Sequence, residues 1–133
     1  MLSRLTRDAE YRALVAQADI ITADGMPLVW ASWFKGANQA IPERTTGVDL
    51  VDAYLRLPIA PPFAIIGGVD PASTLTLYGE TAQKACRYLF TGKVDLSDQQ
   101  LQTFVKALRE QQVRMVFLAL NVPKGDQLAW KIK

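Results

Sequence analysis

Two apolar runs, FAII at residues 63–66 and VRMVFLAL at residues 113–120, most constrain the fold of this chain. Both are too short for a membrane span. FAII, a continuous apolar run, reads as a strand buried on both faces, and VRMVFLAL is the best strand in the chain. Gly67 and Gly68 end the first, and the polar stretch NVPKGDQ, residues 121–127, follows the second as a loop. Strands of this kind sit in parallel sheets covered by helices, and helical periodicity flanks both. The predicted class is therefore α/β, a sandwich with a small, mainly parallel sheet flanked by helices.

The remaining elements follow from spacing and punctuation. Tyr11, Leu14, Val15 and Ala18 mark an amphipathic helix over residues 7–18. Ile20, Ile21 and Thr22 are β-branched and predict a further short buried strand ending at Asp24 and Gly25. Pro27 suits the first turn of a helix through LVWASWF, where Trp30, Trp33 and Phe34 are expected in the core. Residues 35–47 read as a loop, and Val48, Val51, Tyr54 and Leu55 resume helical spacing until Pro58. One helix is predicted from Pro71 to Phe90, with Ala82, Ala85, Cys86 and Leu89 on its apolar face and Gly79 weakening its first half. Ser97 and Gln100 resemble a capping box for a helix carrying Leu101, Phe104, Val105 and Leu108, and residues 127–133 open a last helix.

Composition narrows the chemistry. A chain of 133 residues, 50% hydrophobic and 21% charged, fits a single domain over residues 1–133 with one core. A formal charge of +2 without like-charge blocks argues against a nucleic-acid surface. With no histidine, Ser-His-Asp and Cys-His catalysis are excluded, so acid–base work falls to carboxylates, lysines or tyrosines. Cys86 is the one cysteine and reads as an inert core thiol. No signal peptide is apparent, the cytoplasm is the expected compartment, and any membrane contact would be peripheral.

Ligands of parallel α/β sheets bind beyond the carboxyl ends of the strands. Residues 23–26, 67–71 and 121–127 follow predicted strand ends and are expected to meet the PERTTG loop at one cleft. Asp24 there is either a general base for a substrate hydroxyl or an ordinary helix cap or Asp-Gly turn. Arg44 offers a donor fork for phosphate, or else pairs with Glu43 at the surface. Thr45, Thr46 and Gly47 supply hydroxyl and backbone donors, and Asp49 is either a ligand group or first-turn helix chemistry. GGVDPAS is a weak match to the close-approach glycines of nucleotide sites. Gln127 can hydrogen-bond a sugar or base, with a solvated turn as the alternative.

The order TADGMPLVWAS, IPERTTGVDLV, FAIIGG and VFLALNVPKGDQLAW resembles the WecG/TagA/CpsF family of bacterial glycosyltransferases. The family carries ADG-x-x-x-V-x-A, PER-x-x-G-x-DL, a strand ending in GG, and a strand followed by G-x-PKQE-x-W. The resemblance implies a Rossmann-like core and inverting, metal-independent transfer of a sugar without a cofactor. The implied donor is a UDP-sugar carrying N-acetylmannosamine, its uronic acid or glucose, and the acceptor is a polyprenyl diphosphate-linked sugar. Asp24 matches the family's proposed base, Arg44 the arginine of PER-x-x-G, and Gln127 the glutamine of PKQE if Gly125 and Asp126 are an insertion. Members also have an upstream strand with a T-x-N-type motif and a longer C-terminal region, so this sequence corresponds to the middle of such an enzyme. A catalytically silent nucleotide-sugar binding or assembly module, self-associating through uncovered strand edges, is the alternative.

Overall fold

The computed structural model describes residues 6–36, 38 and 40–133, so Ala37 and Gln39 of the predicted loop lie outside the described residues. The chain divides into two compact units, one of Ala18–Leu57 and one of Met1–Gln17 with Pro58–Lys133.

In the larger unit, helix α1 (Ala9–Val15) begins where the Asp8 carboxylate accepts the Tyr11 amide. Strand β1 (Phe63–Gly67) leads through α4 (Pro71–Thr76) and α5 (Gly79–Ala85) to β2 (Cys86–Phe90), while α6 (Asp98–Glu110) leads to β3 (Met115–Ala119) and α7 (Lys124–Ile132). In the smaller unit lie α2 (Met26–Trp33) and α3 (Gly47–Leu55). The strands form one parallel sheet in the order β2-β1-β3, the architecture of a small Rossmann-like α/β fold.

Register explains the core. Ala64 stands between Tyr88 and Val116, and Ile66 between Phe90 and Leu118, so these six side chains share one sheet face. Phe104 of α6 and Leu128 of α7, both fully buried, close over Ile66 and Val94 on that face. Phe104 meets Phe90 edge-on at 4.9 Å and Tyr88 at 6.4 Å. On the opposite face Phe63 packs edge-on against Phe117 at 5.5 Å. The chain crosses from β1 to β2 in one direction and from β2 to β3 in the other, and the right-handed rule for crossovers assigns α4–α5 and α6 to opposite faces.

Five expectations are corrected. The helix predicted from Pro71 to Phe90 breaks at Gly79, whose φ of +79° no L side chain adopts cheaply, and its last five residues are strand β2. Cys86 thus lies in a strand rather than on a helix face. Residues 20–22 form no strand. Ile20 and Ile21 are 82% and 61% exposed, and strand propensity without a neighbouring strand leaves the backbone no ladder to join.

The aromatic residues of α2 are not core: Trp30 and Trp33 are half exposed and Phe34 is 93% exposed, because α2 buries only the stripe of Val29 and Ser32. The loop predicted over residues 121–127 ends early, since α7 starts at Lys124. The expected capping box of α6 is half formed. Ser97 Oγ accepts the Gln100 amide, but the Gln100 side chain takes the Asp95 amide and donates to the Lys93 carbonyl.

Candidate functional site

The smaller unit carries both strongly patterned segments, and backbone hydrogen bonding joins them. The Thr45 amide donates to the Ala23 carbonyl at 3.0 Å, which brings the residue before Asp24 against the residue after Arg44. The sequence places these segments some twenty positions apart, and helix α2 between them supplies the anchor. Ser32, 7% exposed, donates its hydroxyl to the Val29 carbonyl at 2.7 Å and accepts the Ile41 amide at 2.8 Å. Trp33 Nε1 donates to the Ile41 carbonyl at 3.3 Å. Both polar groups of the Ile41 backbone are thereby held just upstream of Pro42, Glu43 and Arg44.

Asp24 is exposed, and it does not cap the following helix. Gly25 is the N-cap of α2 and no side chain caps it, with Pro27 in the first turn as expected. Arg44 is likewise exposed, and among the described residues no ion pair within 4.0 Å forms on it, so the expected pairing with Glu43 is absent. Thr46 and Asp49 form a complete capping box on α3: Thr46 Oγ1 accepts the Asp49 amide at 3.0 Å and Asp49 Oδ2 accepts the Thr46 amide at 2.8 Å. The Thr46 hydrogen bonds hold the Asp49 carboxyl below the usual carboxylate range, and the Arg44 charge lowers it further. This is the first-turn chemistry that the sequence left open for Asp49. Gly47 begins α3 with open space around it.

The larger unit carries the other named residues at the carboxyl ends of two adjacent strands. Gly67 ends β1, and Gly68 donates its amide to the Ala119 carbonyl at the end of β3, at 3.0 Å. A Cβ on Gly67 would stand 2.5 Å from that same oxygen, so glycine is required there for strand approach before any ligand is considered. Gln127 is exposed in α7, and its amide is bonded to the Pro123 carbonyl. The structure thus gathers Asp24, Arg44, Thr46, Gly47 and Asp49 in one unit, and Gly67, Gly68 and Gln127 in the other.

Two further contacts set the position of α7. Tyr11, buried in α1, donates its phenol to Asp126 Oδ2 at 2.6 Å, a short charge-assisted bond. Lys124 Nζ donates to the Val94 carbonyl at 2.8 Å. Sequence reading did not single out Ser32, and it named Tyr11 and Trp33 only as apolar helix residues, without their hydrogen bonds. Ser32 alone left a local signal, as the one hydroxyl within the apolar run LVWASWF. The Cys86 thiol is half buried, and desolvation pushes it up, which disfavours the reactive thiolate. Among the described residues, no group of three His, Cys, Asp or Glu side chains could hold a metal ion, and no helix is long and apolar enough to cross a membrane.

The parallel sheet, with glycines where its first strand ends, defines a small Rossmann-like α/β fold. The profile of the glycosyl transferase WecG/TagA/CpsF family matches residues 1–133. The chain belongs to that family of glycosyltransferases, whose members act on a sugar donor and an acceptor. A comparison with curated proteins finds no match.

Proposed function

We propose that the chain serves inverting, metal-independent transfer of a sugar from a UDP donor to a polyprenyl diphosphate-linked sugar, with Asp24 as base and Arg44 on the donor diphosphate. The observation that carries this reading is the Thr45–Ala23 hydrogen bond, which holds the two segments side by side. Family membership supports the reaction class. An exposed carboxylate that caps no helix is available to take a proton from an acceptor hydroxyl as it attacks the anomeric carbon. An exposed guanidinium on a loop pinned at Ile41 is suited to the charge that builds on the departing UDP, by bidentate hydrogen bonding.

In this reading Asp49 holds the turn, while Thr46 and the Gly47 backbone face the anionic end of the donor. Gly67, Gly68 and Gln127, in the larger unit, are assigned to substrate binding on the family resemblance alone. The reaction takes place at the cytoplasmic membrane surface, where a lipid-linked acceptor is presented.

Ligand-observed NMR with UDP, UDP-N-acetylmannosamine and UDP-glucose tests the donor site. Binding lost on Arg44→Ala is the expected result, and binding unchanged in that variant removes Arg44 from the site. Asp24→Asn is expected to abolish transfer to a lipid-diphosphate acceptor while leaving UDP-sugar binding intact. Equal turnover in that variant removes Asp24 as the base.

A further inference from the structure

Helix α7 starts shortly after β3 ends, and the side chains of its first turn are not equally occupied. Successive helical residues point about 100° apart, so Lys124, Gly125, Asp126 and Gln127 face four directions around the axis. Three of the four are taken. Lys124 Nζ reaches the Val94 carbonyl at 2.8 Å. Gly125 is buried against the chain leaving β3, where an added Cβ would stand 3.3 Å from the Leu120 carbonyl oxygen. Asp126 Oδ2 accepts the Tyr11 phenol at 2.6 Å. Gln127 takes the fourth direction: it is exposed, and its carboxamide makes no hydrogen bond among the described residues.

The three contacts constrain the turn unequally. Lys124 acts through a flexible four-carbon stem, which tolerates rotation of the helix. Gly125 sets how closely the turn approaches β3 but has no side chain to fix its angle. Asp126 is short, and its partner Tyr11 is a rigid ring only 4% exposed, held on α1 at a distance of 115 positions in sequence. The angle of the turn about its own axis is therefore set by the Tyr11–Asp126 bond. A rotation of about 10° carries a side-chain tip at a radius of about 5–6 Å through roughly 1 Å. That is enough to break a hydrogen bond made by the neighbouring residue.

We infer that Tyr11 is a positioning residue for substrate binding: through Asp126 it aims the Gln127 carboxamide at the nucleotide-sugar donor. The inference rests on the assignment of Gln127 to substrate binding made above. Tyr11 acts through Asp126 and the helix turn, and it needs no contact with substrate.

A double-mutant cycle on the full chain is the test, with affinity for UDP-N-acetylmannosamine and UDP-glucose read by ligand-observed NMR. Gln127→Ala is expected to weaken binding by about three- to tenfold, the range of one net hydrogen bond. Tyr11→Phe is expected to weaken it by about threefold in the unmodified chain and to have no further effect in Gln127→Ala. A chain that is merely loosened loses affinity equally in both backgrounds. Asp126→Asn keeps a carbonyl oxygen to accept the phenol and is expected to retain most of the affinity, whereas Asp126→Ala should copy Tyr11→Phe. Circular dichroism checks that the variants fold, and Asp126→Ala takes the place of Tyr11→Phe in the cycle should the latter not fold. A loss that persists in full when residue 127 is alanine overturns the inference, as does no loss in Tyr11→Phe while Gln127→Ala weakens binding; the assignment of Gln127 then still stands. If Gln127→Ala binds as well as the unmodified chain, or the unmodified chain binds neither donor, that assignment fails and the inference falls with it.

Discussion

Gly67→Ala isolates the contact that closes the carboxyl end of the sheet. Gly67 has φ +95°, and a residue with a side chain forced into left-handed backbone costs about 1–2 kcal/mol. Its new Cβ would meet the Ala119 carbonyl oxygen at 2.5 Å and Leu120 Cδ2 at 2.7 Å. Ordinary carbon–oxygen contact begins at about 3.3 Å, so β3 must retreat by most of an ångström. The retreat strains a packed core by about 1–3 kcal/mol. It also weakens the Gly68–Ala119 hydrogen bond of 3.0 Å, a net loss of about 0.5–1.5 kcal/mol. The sum, about 2.5–6.5 kcal/mol, is a large part of the roughly 5–15 kcal/mol typical of a domain. Gly79→Ala is the control. Its φ of +79° carries the same backbone cost, but no atom lies within 4 Å of the added Cβ, so only about 1–2 kcal/mol is expected. Urea unfolding followed by amide exchange in β1 measures both. If Gly67→Ala destabilises β1 no more than Gly79→Ala, the close approach of the two strands is not what demands glycine.

Ser32→Ala leaves the Ile41 amide without its acceptor, and about 1–3 kcal/mol of local stability is expected to be lost, read as faster exchange at Ile41 and Thr45. Thr46→Ala removes the side-chain hydrogen bond that helps depress Asp49 but keeps the one from the backbone amide of residue 46, so the Asp49 titration followed by NMR should move up only part of the way toward its ordinary value. Because the folded-state pKa is lowered, the stabilisation from Asp49 is present above the unfolded-state value and is lost as pH falls through the folded one. That acid-side loss should shrink in Thr46→Ala. Tyr11→Phe deletes the bond to Asp126 and is expected to cost about 1.5–3 kcal/mol, measured by thermal unfolding; no change would mean that another contact holds α1 to α7.

The sheet was legible where burial was two-sided. Phe63, Ala64 and Ile66 are completely buried, and their run of apolar residues announced β1; β3 was legible from its longer apolar run, although its residues are only partly buried. Edge strand β2 was hidden because CRYLF mixes Arg87 with apolar residues, and because Ala82 and Ala85 of the preceding helix lead into it without punctuation. Residues 20–22 show the converse: β-branched composition states a preference, and pairing needs a partner that sequence does not supply. In α2 the count of apolar residues was right but their destination was not, since Val29 and Ser32 take the buried stripe and leave Trp30 and Phe34 outside.

The candidate site divides along the same line between local and distant contacts. The Thr46–Asp49 capping box spans three residues, a range over which sequence offered first-turn helix chemistry for Asp49 as one of two alternatives. Ser32 and Ile41 are nine apart and Tyr11 and Asp126 are 115 apart, distances over which no local rule names a partner. Yet these distant bonds give the local motifs their places. Ser32 and Trp33 tie the segment before Arg44 to the last turn of α2, and α2 begins immediately after Asp24 and Gly25. The apolar helix between the two motifs is therefore part of the site: its first turn follows the carboxylate and its last turn grips the loop that carries the guanidinium. A single short helix thus lies against both ends of the Ala23–Thr45 link.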